Sequence, residues 1–472
     1  MILAIDQGTT GTTCLVVDEE LRVRGRGYRE LRQFFPQPGW VEHDPEEIWA
    51  TVVEAADAAV HDAGVRAADL RAIGITNQRE TTLLWERATG RPVHRAIVWQ
   101  DRRTVARCRE LPADLIRART GLVPDPYFSA TKLEWLLART DARPGELAFG
   151  TVDSWLVWKL TDGRVHATDV TNASRTMLLD LDSLAWSDEL LELFDLDRAL
   201  LPRLVRSSEV VGEAKFLGAT LPIAGIAGDQ QAALFGHGCY ERGEAKATYG
   251  TGSFVLVNAG AARERPSPGL LETAEATGGY ALEGAILSSG AAVQWLRDGL
   301  GIVTDAAESE ALARQVESTE GVYFVPALTG LGSPHWNAEA RGLVTGITRG
   351  TSAAHVVRAA LEGIAFQVAD VLDAFPSGLG VLRADGGASA NGFLMQFQAD
   401  LLGCPVEVAA ERETTALGAA ALAGLAIGVW PNLEEVRARI RRGATYEPSP
   451  DRDWVAGRRA EWQLAVRRAV LT

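Results

Sequence analysis

The chain has 472 residues, of which 47% are hydrophobic and 23% charged, so it is long enough for two or three packed domains and too apolar to be disordered. Acidic residues outnumber basic ones by 62 to 47 and no dense Lys/Arg run is present, which argues against nucleic acid as a partner. Cys14, Cys108, Cys239 and Cys404 have neither disulfide-framework nor metal-site spacing, so we predict free thiols in the cytoplasm. Asp6 interrupts the first apolar run, which is atypical of a secretion signal.

The chain begins with a predicted β-hairpin. An apolar run at residues 2–5 leads into a turn rich in Gly and Thr, and a second apolar run and a third strand follow. Residues 45–63 have the spacing of an amphipathic helix, and residues 72–76 form a predicted buried strand. Helix and strand patterns alternate from there on, which predicts layered α/β architecture.

The second half of the chain repeats features of the first. Residues 244–258 again place a Gly/Thr turn between two strand-like runs, and residues 382–391 correspond loosely to residues 72–78. We therefore predict a duplicated α/β fold with lobes at residues 1–240 and 241–472 around a central cleft. Chance similarity of two short turns is the alternative, because the chain contains 47 glycines.

The C-terminal part of the chain is predicted to be mainly helical. Residues 301–320 are helix-like and acidic, and residues 433–472 provide one or two further helices. Within the uncharged stretch at residues 414–433, only the fifteen residues 416–430 are uniformly apolar or glycine. This is short of the roughly 20 residues that span a bilayer, so we predict a buried helix and no integral membrane segment.

Two turns have the composition of phosphate-binding sites. A strand ends in the carboxylate of Asp6 and is followed by Gly8, Thr9 and Thr10, which offer N–H groups and hydroxyls to a phosphate while the acid can hold Mg²⁺ through water. The segment 250–252 around Thr251 would face it from the other lobe. Ordinary hairpin turns are the alternative for both.

Small residues mark a third candidate for nucleotide contact. Gly386 and Gly387 follow a predicted strand and precede a helix-like run, so a base or an α-phosphate could approach the backbone closely. A tight strand-to-helix turn would need the same residues.

Polar side chains follow two other predicted strands. Asn77, Gln78, Arg79 and Glu80 come where a buried strand ends, a usual position for ligand sites in open α/β folds, and such groups suit hydroxyls. Asp229 follows the apolar run 221–227 and could take a proton from an attacking hydroxyl. A salt bridge in a loop and a helix N-cap are the respective alternatives.

Long sequence blocks then resemble one known family. They include LAIDQGTT (3–10), IGITNQRETT (73–82), DPYFSATK (125–132), GIAGDQQAALFG (225–236), TYGTGS (248–253) and DGGASANGFLMQFQAD (385–400). In this order, and over nearly the whole chain, they are similar to the FGGY carbohydrate kinase family, and NQRE with DPYF resembles its glycerol-specific members. The resemblance implies the actin/hexokinase/Hsp70-like (ribonuclease H-like) fold.

The resemblance also implies an activity and a set of site residues. The activity is ATP-dependent phosphorylation of glycerol to sn-glycerol 3-phosphate, with glycerol and ATP as partners, Mg²⁺ as cofactor, and a homodimer or homotetramer as the expected assembly. Glycerol would contact Arg79, Glu80, Tyr127, Asp229 and Gln230, with Trp99 and Phe254 on its carbon edge. The nucleotide would contact Thr10, Thr251, Gly290, Gln294, Gly387 and Asn391. Asp6 and Asp229 would hold Mg²⁺, and Asp229 would be the catalytic base.

The sequence departs from the family pattern at Thr13, and it leaves two alternative functions open. Many family members have an arginine where this chain has Thr13, so we expect weaker contact with ATP there unless another basic side chain compensates. The chain could instead be a kinase of another small polyol or ketose. It could also be a non-catalytic, nucleotide-driven sensor of the same fold, although that hypothesis gives Arg79 and Asp229 no role.

Overall fold

Two mixed β-sheets form the centres of two lobes in the computed structural model, which describes residues 1–265, 269–375 and 378–471. The strands of the first lobe are β1 (Ile2–Gln7), β2 (Gly11–Val17), β3 (Val23–Glu30), β4 (Glu42–His43), β5 (Ala72–Asn77), β6 (Leu83–Glu86), β7 (Ala96–Ile97), β8 (Leu147–Gly150), β9 (Ala167–Asp169), β10 (Leu179–Asp180), β11 (Ala185–Trp186), β12 (Arg203–Val205), β13 (Ser208–Phe216) and β14 (Ala219–Gly228). Those of the second lobe are β15 (Glu244–Tyr249), β16 (Ser253–Gly260), β17 (Leu271–Ala274), β18 (Tyr280–Ile286), β19 (Tyr323–Val325), β20 (Leu343–Thr345), β21 (Val381–Asp385), β22 (Val406–Ala409) and β23 (Arg442–Tyr446).

Helices cover both sheets. In chain order they are α1 (Pro45–Asp62), α2 (Val105–Cys108), α3 (Ala113–Thr120), α4 (Ala130–Leu137), α5 (Val152–Leu160), α6 (Val170–Ala173), α7 (Asp188–Leu193), α8 (Asp229–Gly236), α9 (Gly290–Asp298), α10 (Ala306–Ala313), α11 (Ala353–Asp373), α12 (Gly392–Leu402), α13 (Thr414–Ala426), α14 (Leu433–Arg437) and α15 (Trp454–Val470). None of the helices in the described part of the chain combines the length and apolar character that a bilayer crossing requires.

The two large sheets have the same strand order. The first is β3-β2-β1-β5-β14-β13, and the second is β18-β16-β15-β21-β22-β23 with β17 added beyond β18. In both, the first strand of the lobe is antiparallel to the second and parallel to its other neighbour. The predicted duplication is therefore confirmed, and β5 and β21 occupy equivalent positions, as the resemblance of residues 72–78 to 382–391 suggested.

Most predicted elements are confirmed, and two differ. Helix α1 starts at Pro45, because the Asp44 carboxylate accepts the Glu46 N–H at 2.9 Å and proline suits the first turn. Only α10 forms within the helix predicted at 301–320. The C-terminal segment contains β23, which the sequence did not predict because this exposed edge strand has no apolar alternation. The four cysteines are free, as predicted, and all four are buried.

Helix α13 packs on the first sheet although in the chain it lies between β22 and β23 of the second sheet. Its apolar side chains join those of β1, β2 and β14 in one buried cluster, which confirms the predicted buried helix. It also crosses α8 at backbone contact, because a Cβ at Gly418 would lie 1.9 Å from the Ala232 carbonyl oxygen and one at Gly236 2.1 Å from that of Thr414. The position of α8 therefore depends on α13.

The lobes share a continuous apolar core. One cluster extends from Leu84, Phe128 and Leu178 of the first lobe to Leu282 and Phe366 of the second. Residues of one lobe that contact the other are thus held by packing on both sides.

We predict that Gly418→Ala destabilises the protein by about 1–3 kcal/mol, because the added methyl group has no space against the Ala232 carbonyl. Thermal or urea unfolding measures this change. Gly457→Ala is the control: Gly457 lies in α15 with no atom within 4 Å of the new Cβ, so alanine should raise stability by up to about 1 kcal/mol. A Gly418 variant as stable as the wild type would contradict the close crossing of α8 and α13.

Candidate active site

A buried cluster of charged side chains lies where β5 ends. Arg79 and Glu80 follow this strand and are 3% and 1% exposed. Arg79 Nη1 donates to Glu283 Oε2 at 2.6 Å and Nη2 donates to Glu283 Oε1 at 2.9 Å. Arg79 Nε lies 3.0 Å from Asp229 Oδ1. The structure thus brings together three residues predicted to contact an acceptor, and adds Glu283.

Two members of this cluster were missed by sequence reasoning. Arg175 follows α6 and donates from Nε to Glu80 Oε1 at 2.6 Å, while its Nη1 lies 3.3 Å from Glu283 Oε2. Glu283 comes from β18 of the second lobe, and both side chains are fully buried. A sequence signal existed for Glu283, since a lone carboxylate interrupts the apolar run YALEGAI, and a buried charge needs a partner.

Asp229 is the first residue of α8, directly after β14. Its Oδ1 accepts its neighbour's N–H, from Gln230, at 2.7 Å, and its side chain is 32% exposed, far more than the 2% of Arg79. Burial raises the pKa of Asp229, and the Arg79 guanidinium opposes that rise. Asp229 is therefore the accessible carboxylate of the cluster.

Aromatic residues and a buried lysine form one side of the site. The rings of Trp99 and Tyr127 meet edge to face at 5.6 Å, and Trp99 Nε1 donates to Thr9 Oγ1 at 2.9 Å. Lys132 Nζ donates to the carbonyl oxygens of Glu80 and Tyr127, both at 2.9 Å. Burial lowers the pKa of Lys132 to about 7. Lys132 was not predicted as a site residue, yet it joins the two loops that carry Glu80 and Tyr127.

Gln230 and Phe254 lie on the second lobe's side of the site. The Gln230 side chain accepts a hydrogen bond from Lys246 Nζ, which also donates to Thr248 Oγ1 at 2.9 Å. Phe254 pairs with Thr248 across β15 and β16, so both share the sheet face that carries Lys246 and Glu283. Leu234 of α8 and Leu256 of β16 belong to one buried cluster, and Phe254 packs against that cluster. The sheet face is therefore directed toward α8, the helix that begins at Asp229.

A cavity of about 510 Å³ opens in the second lobe. It is lined by Tyr249, Gly250, Thr251, Gly290, Val293, Gln294, Arg297, Ala306, Ala307, Ser309, Glu310, Leu361, Gly387, Ala388, Ala390 and Asn391. Five residues predicted to contact nucleotide are among them: Thr251, Gly290, Gln294, Gly387 and Asn391. The structure therefore gathers these five from separate segments around one space.

Local geometry explains two of the cavity's small or polar residues. A Cβ at Gly290 would lie 2.6 Å from the Gly250 carbonyl oxygen, so the turn at residues 250–252 packs directly on the start of α9. Asn391 caps α12 by accepting the Leu394 N–H at 3.0 Å, which leaves its amide nitrogen near Ser309 Oγ at 3.3 Å.

Thr10 does not line the cavity and lies exposed in the β1–β2 turn of the first lobe.

Asp6 is the next-to-last residue of β1, and neighbouring acids perturb its pKa. Burial, Asp229 and Glu413, in decreasing order, raise the pKa of Asp6 to about 8. The Asp229 carboxylate thus repels the charge of Asp6, and a cation would relieve that repulsion. Among the residues that the structure describes, no group of three or more His, Cys, Asp and Glu side chains is arranged as a metal site, so further ligands would come from water or substrate.

Thr13 lies opposite Asp6 in the β1–β2 pair and opposite Tyr28 on β3. Thr13 is 9% exposed. The Tyr28 hydroxyl also covers Gly11, two residues earlier in β2, because a Cβ at Gly11 would lie 2.6 Å from the hydroxyl oxygen. At the position where the family resemblance led us to expect an arginine, this chain therefore has a threonine that is paired with a tyrosine on the adjacent strand.

We predict that Lys132→Met raises the KM for the acceptor by about 10-fold to 100-fold, because two charge-assisted hydrogen bonds to the loops of Glu80 and Tyr127 are lost. The KM for the nucleotide should stay within about twofold. Lys159→Met is the control, since Lys159 pairs with Glu46 away from the site at 2.9 Å. Equal acceptor KM values in the Lys132 variant and the wild type would show that these bonds do not order the site.

The chain is similar to known proteins over nearly its whole length. The model of the FGGY family of carbohydrate kinases, N-terminal domain, matches residues 1–236, and that of the C-terminal domain matches residues 245–427. Glycerol kinase from Bordetella parapertussis is 54% identical over 98% of this chain and 96% of that protein. Glycerol kinase from Azotobacter vinelandii is 53% identical over 99% and 97%.

A solved structure shares the whole fold. The crystal structure of Plasmodium falciparum glycerol kinase with ADP superposes with a TM-score of 0.94 at 36% identity, covering 100% of this chain and 98% of that one. With two family domains matched in order over most of its length, the chain belongs to the FGGY family of carbohydrate kinases.

Proposed function

We propose that this protein transfers the γ-phosphoryl group of ATP to the C3 hydroxyl of glycerol, giving sn-glycerol 3-phosphate and ADP. The observation that carries the proposal is the accessible carboxylate of Asp229, held by Arg79 within a buried polar cluster whose other members suit hydroxyls. Relatives of about 53% identity are named glycerol kinase, which supports glycerol over other acceptors.

Glycerol would bind over Arg79 and Glu80. Arg79 has five N–H donors, and its contacts to Glu283, Gln231 and Asp229 leave one N–H of Nη2 for a ligand, as far as the described residues go. Glu80 gives one carboxylate oxygen to Arg175 and keeps the other as an acceptor. One donor beside one acceptor suits two vicinal hydroxyls, and Tyr127 and Gln230 would add polar contacts. The rings of Trp99 and Phe254 would contact the carbon atoms.

Asp229 would orient the C3 hydroxyl and accept its proton. The hydroxyl oxygen then bonds to the γ-phosphorus as the bond to the β–γ bridging oxygen breaks, and ADP leaves. A pKa raised by burial makes this carboxylate a stronger base than an exposed aspartate. Placement and charge neutralisation supply most of the rate in such transfers, so the fixed position of α8 matters as much as the base.

The nucleotide would occupy the second lobe's cavity. Thr251, Gly290, Gln294, Gly387 and Asn391 line it, and its volume of about 510 Å³ is within the range of small-molecule sites. Thr10 would reach the terminal phosphates from the first lobe. Asp6 and Asp229 would hold Mg²⁺, which when bound neutralises charge on the β- and γ-phosphates. The charge of Asp229 raises the pKa of Asp6, and a cation beside the two carboxylates would offset that repulsion.

A substrate panel tests the proposal. We expect ATP turnover to depend on glycerol, with kcat/KM for glycerol above that for erythritol or a pentulose. A higher value for either competitor would favour a kinase of another polyol or ketose. ATP turnover that is independent of every acceptor, or absent, would favour a nucleotide-driven sensor.

We predict that Asp229→Asn lowers kcat by about 10²-fold to 10⁴-fold, because the amide cannot accept the proton, while glycerol still binds in equilibrium measurements. Asp188→Asn is a matched control: Asp188 also begins a helix, α7, and also pairs with an arginine, but its side chain is 90% exposed. That variant should keep wild-type kcat. Near-normal turnover in the Asp229 variant would refute its role as base.

A further inference from the structure

Glu283 links the two lobes at the floor of the acceptor site. It lies on β18 of the second lobe, in register with Leu256 of β16, and its side chain is fully buried. Both of its oxygens accept from Arg79, which follows β5 of the first lobe. No role in the proposed reaction has so far been assigned to this residue.

The contacts around Glu283 close into a ring of charges. Arg79 and Arg175 both pair with Glu283, and Arg175 also pairs with Glu80, which lies 3.9 Å from Arg79 Nε. Although burial alone would raise it, Arg175 and Arg79 lower the pKa of Glu283 to about 2, so the carboxylate is ionised. Each guanidinium is thereby held in one orientation.

The orientation of the Arg79 guanidinium determines whether it pairs with one or with both carboxylate oxygens of Asp229. Because Glu283 takes an N–H from both Nη1 and Nη2, and Gln231 takes another from Nη1 at 3.3 Å, the end of the guanidinium that carries both Nη groups faces Glu283, and Arg79 meets Asp229 at Nε. A guanidinium without Glu283 could instead turn and pair with Asp229 through both Nη groups, a bidentate geometry that is common between arginine and a carboxylate. That pairing would occupy both Asp229 oxygens.

We propose that Glu283 is a positioning residue: it holds the Arg79 guanidinium so that Asp229 keeps an oxygen available for the acceptor hydroxyl. The second lobe thus contributes to the acceptor side of the site through Arg79. The inference rests on the proposed function, because it takes Asp229 as the base.

The experiment compares Glu283→Gln with Glu272→Gln. Glu272 is a matched control, since it is also fully buried, lies on the adjacent strand β17 and pairs with an arginine, Arg263, at 2.9 Å. We expect Glu283→Gln to lower kcat at least 10-fold with the KM for ATP within twofold of wild type. Glu272→Gln should lower only the unfolding temperature. Unchanged kcat in folded Glu283→Gln would overturn the inference, as would an equal loss of kcat in both variants.

Glu283→Asp keeps the charge and serves if the glutamine variant does not fold. Because the aspartate side chain is one methylene shorter than glutamate, it cannot reach both Nη groups of Arg79. We therefore expect kcat to fall again while the protein stays folded. Wild-type kcat in this variant would contradict the positioning role. The wild-type assay separates the two proposals: without glycerol-dependent turnover in the wild type, the proposed function itself fails. With such turnover, a normal Glu283 variant refutes only the inference.

Discussion

The ion pair between Arg79 and Glu283 is the interaction on which the acceptor site depends. It joins residues 204 positions apart and belonging to different lobes, and both side chains are excluded from water. Breaking such a buried pair by removing one partner typically costs about 3–5 kcal/mol, because the remaining charge is left uncompensated. The site is therefore not a set of side chains on one lobe. It forms only when both sheets are correctly packed against each other.

The duplicated fold provides that packing. Parallel strands β1, β5 and β14 end at the same edge of the first sheet, so Asp6 near the end of β1 meets Arg79 and Asp229, which follow β5 and β14. Helix α13 returns from the second half of the chain and fixes α8 by backbone contact at Gly418. The cavity proposed to hold the nucleotide lies at the corresponding edge of the second sheet, around the turn that contains Thr251 and the end of β21. Proposed donor and acceptor thus lie at equivalent edges of two related sheets.

Sequence patterns predicted the elements whose signals are local. The hairpins, the strand before Arg79 and the buried helix α13 each depend on short-range apolar periodicity and turn residues, which is why their positions were predicted within a few residues. The edge strand β23 was not predicted, because its residues are mostly exposed, lie at the edge of the sheet beside β22 and show no alternation of apolar and polar side chains. The roles of the candidate site residues came from family resemblance and stay predictions, although the structure brings most of them together.

Arg175, Glu283 and Lys132 show what the sequence could not reveal. Each acts through partners distant in the chain, and the pairing of a buried charge is determined by tertiary packing. A charged residue inside an apolar strand signals that a partner exists, but does not identify it. Only the packed lobes show that Glu283 contacts the arginine beside the proposed base.

The most direct test of this account is a crystal structure of the protein with glycerol and a non-hydrolysable ATP analogue. The account predicts two glycerol hydroxyls within hydrogen-bond distance of Arg79 and Glu80, the third hydroxyl at Asp229, and the terminal phosphate directed at that hydroxyl from the second lobe's cavity. Arg79 should remain paired with Glu283. Glycerol bound elsewhere, or Arg79 released from Glu283 and paired through both Nη groups with Asp229 in the ternary complex, would contradict it.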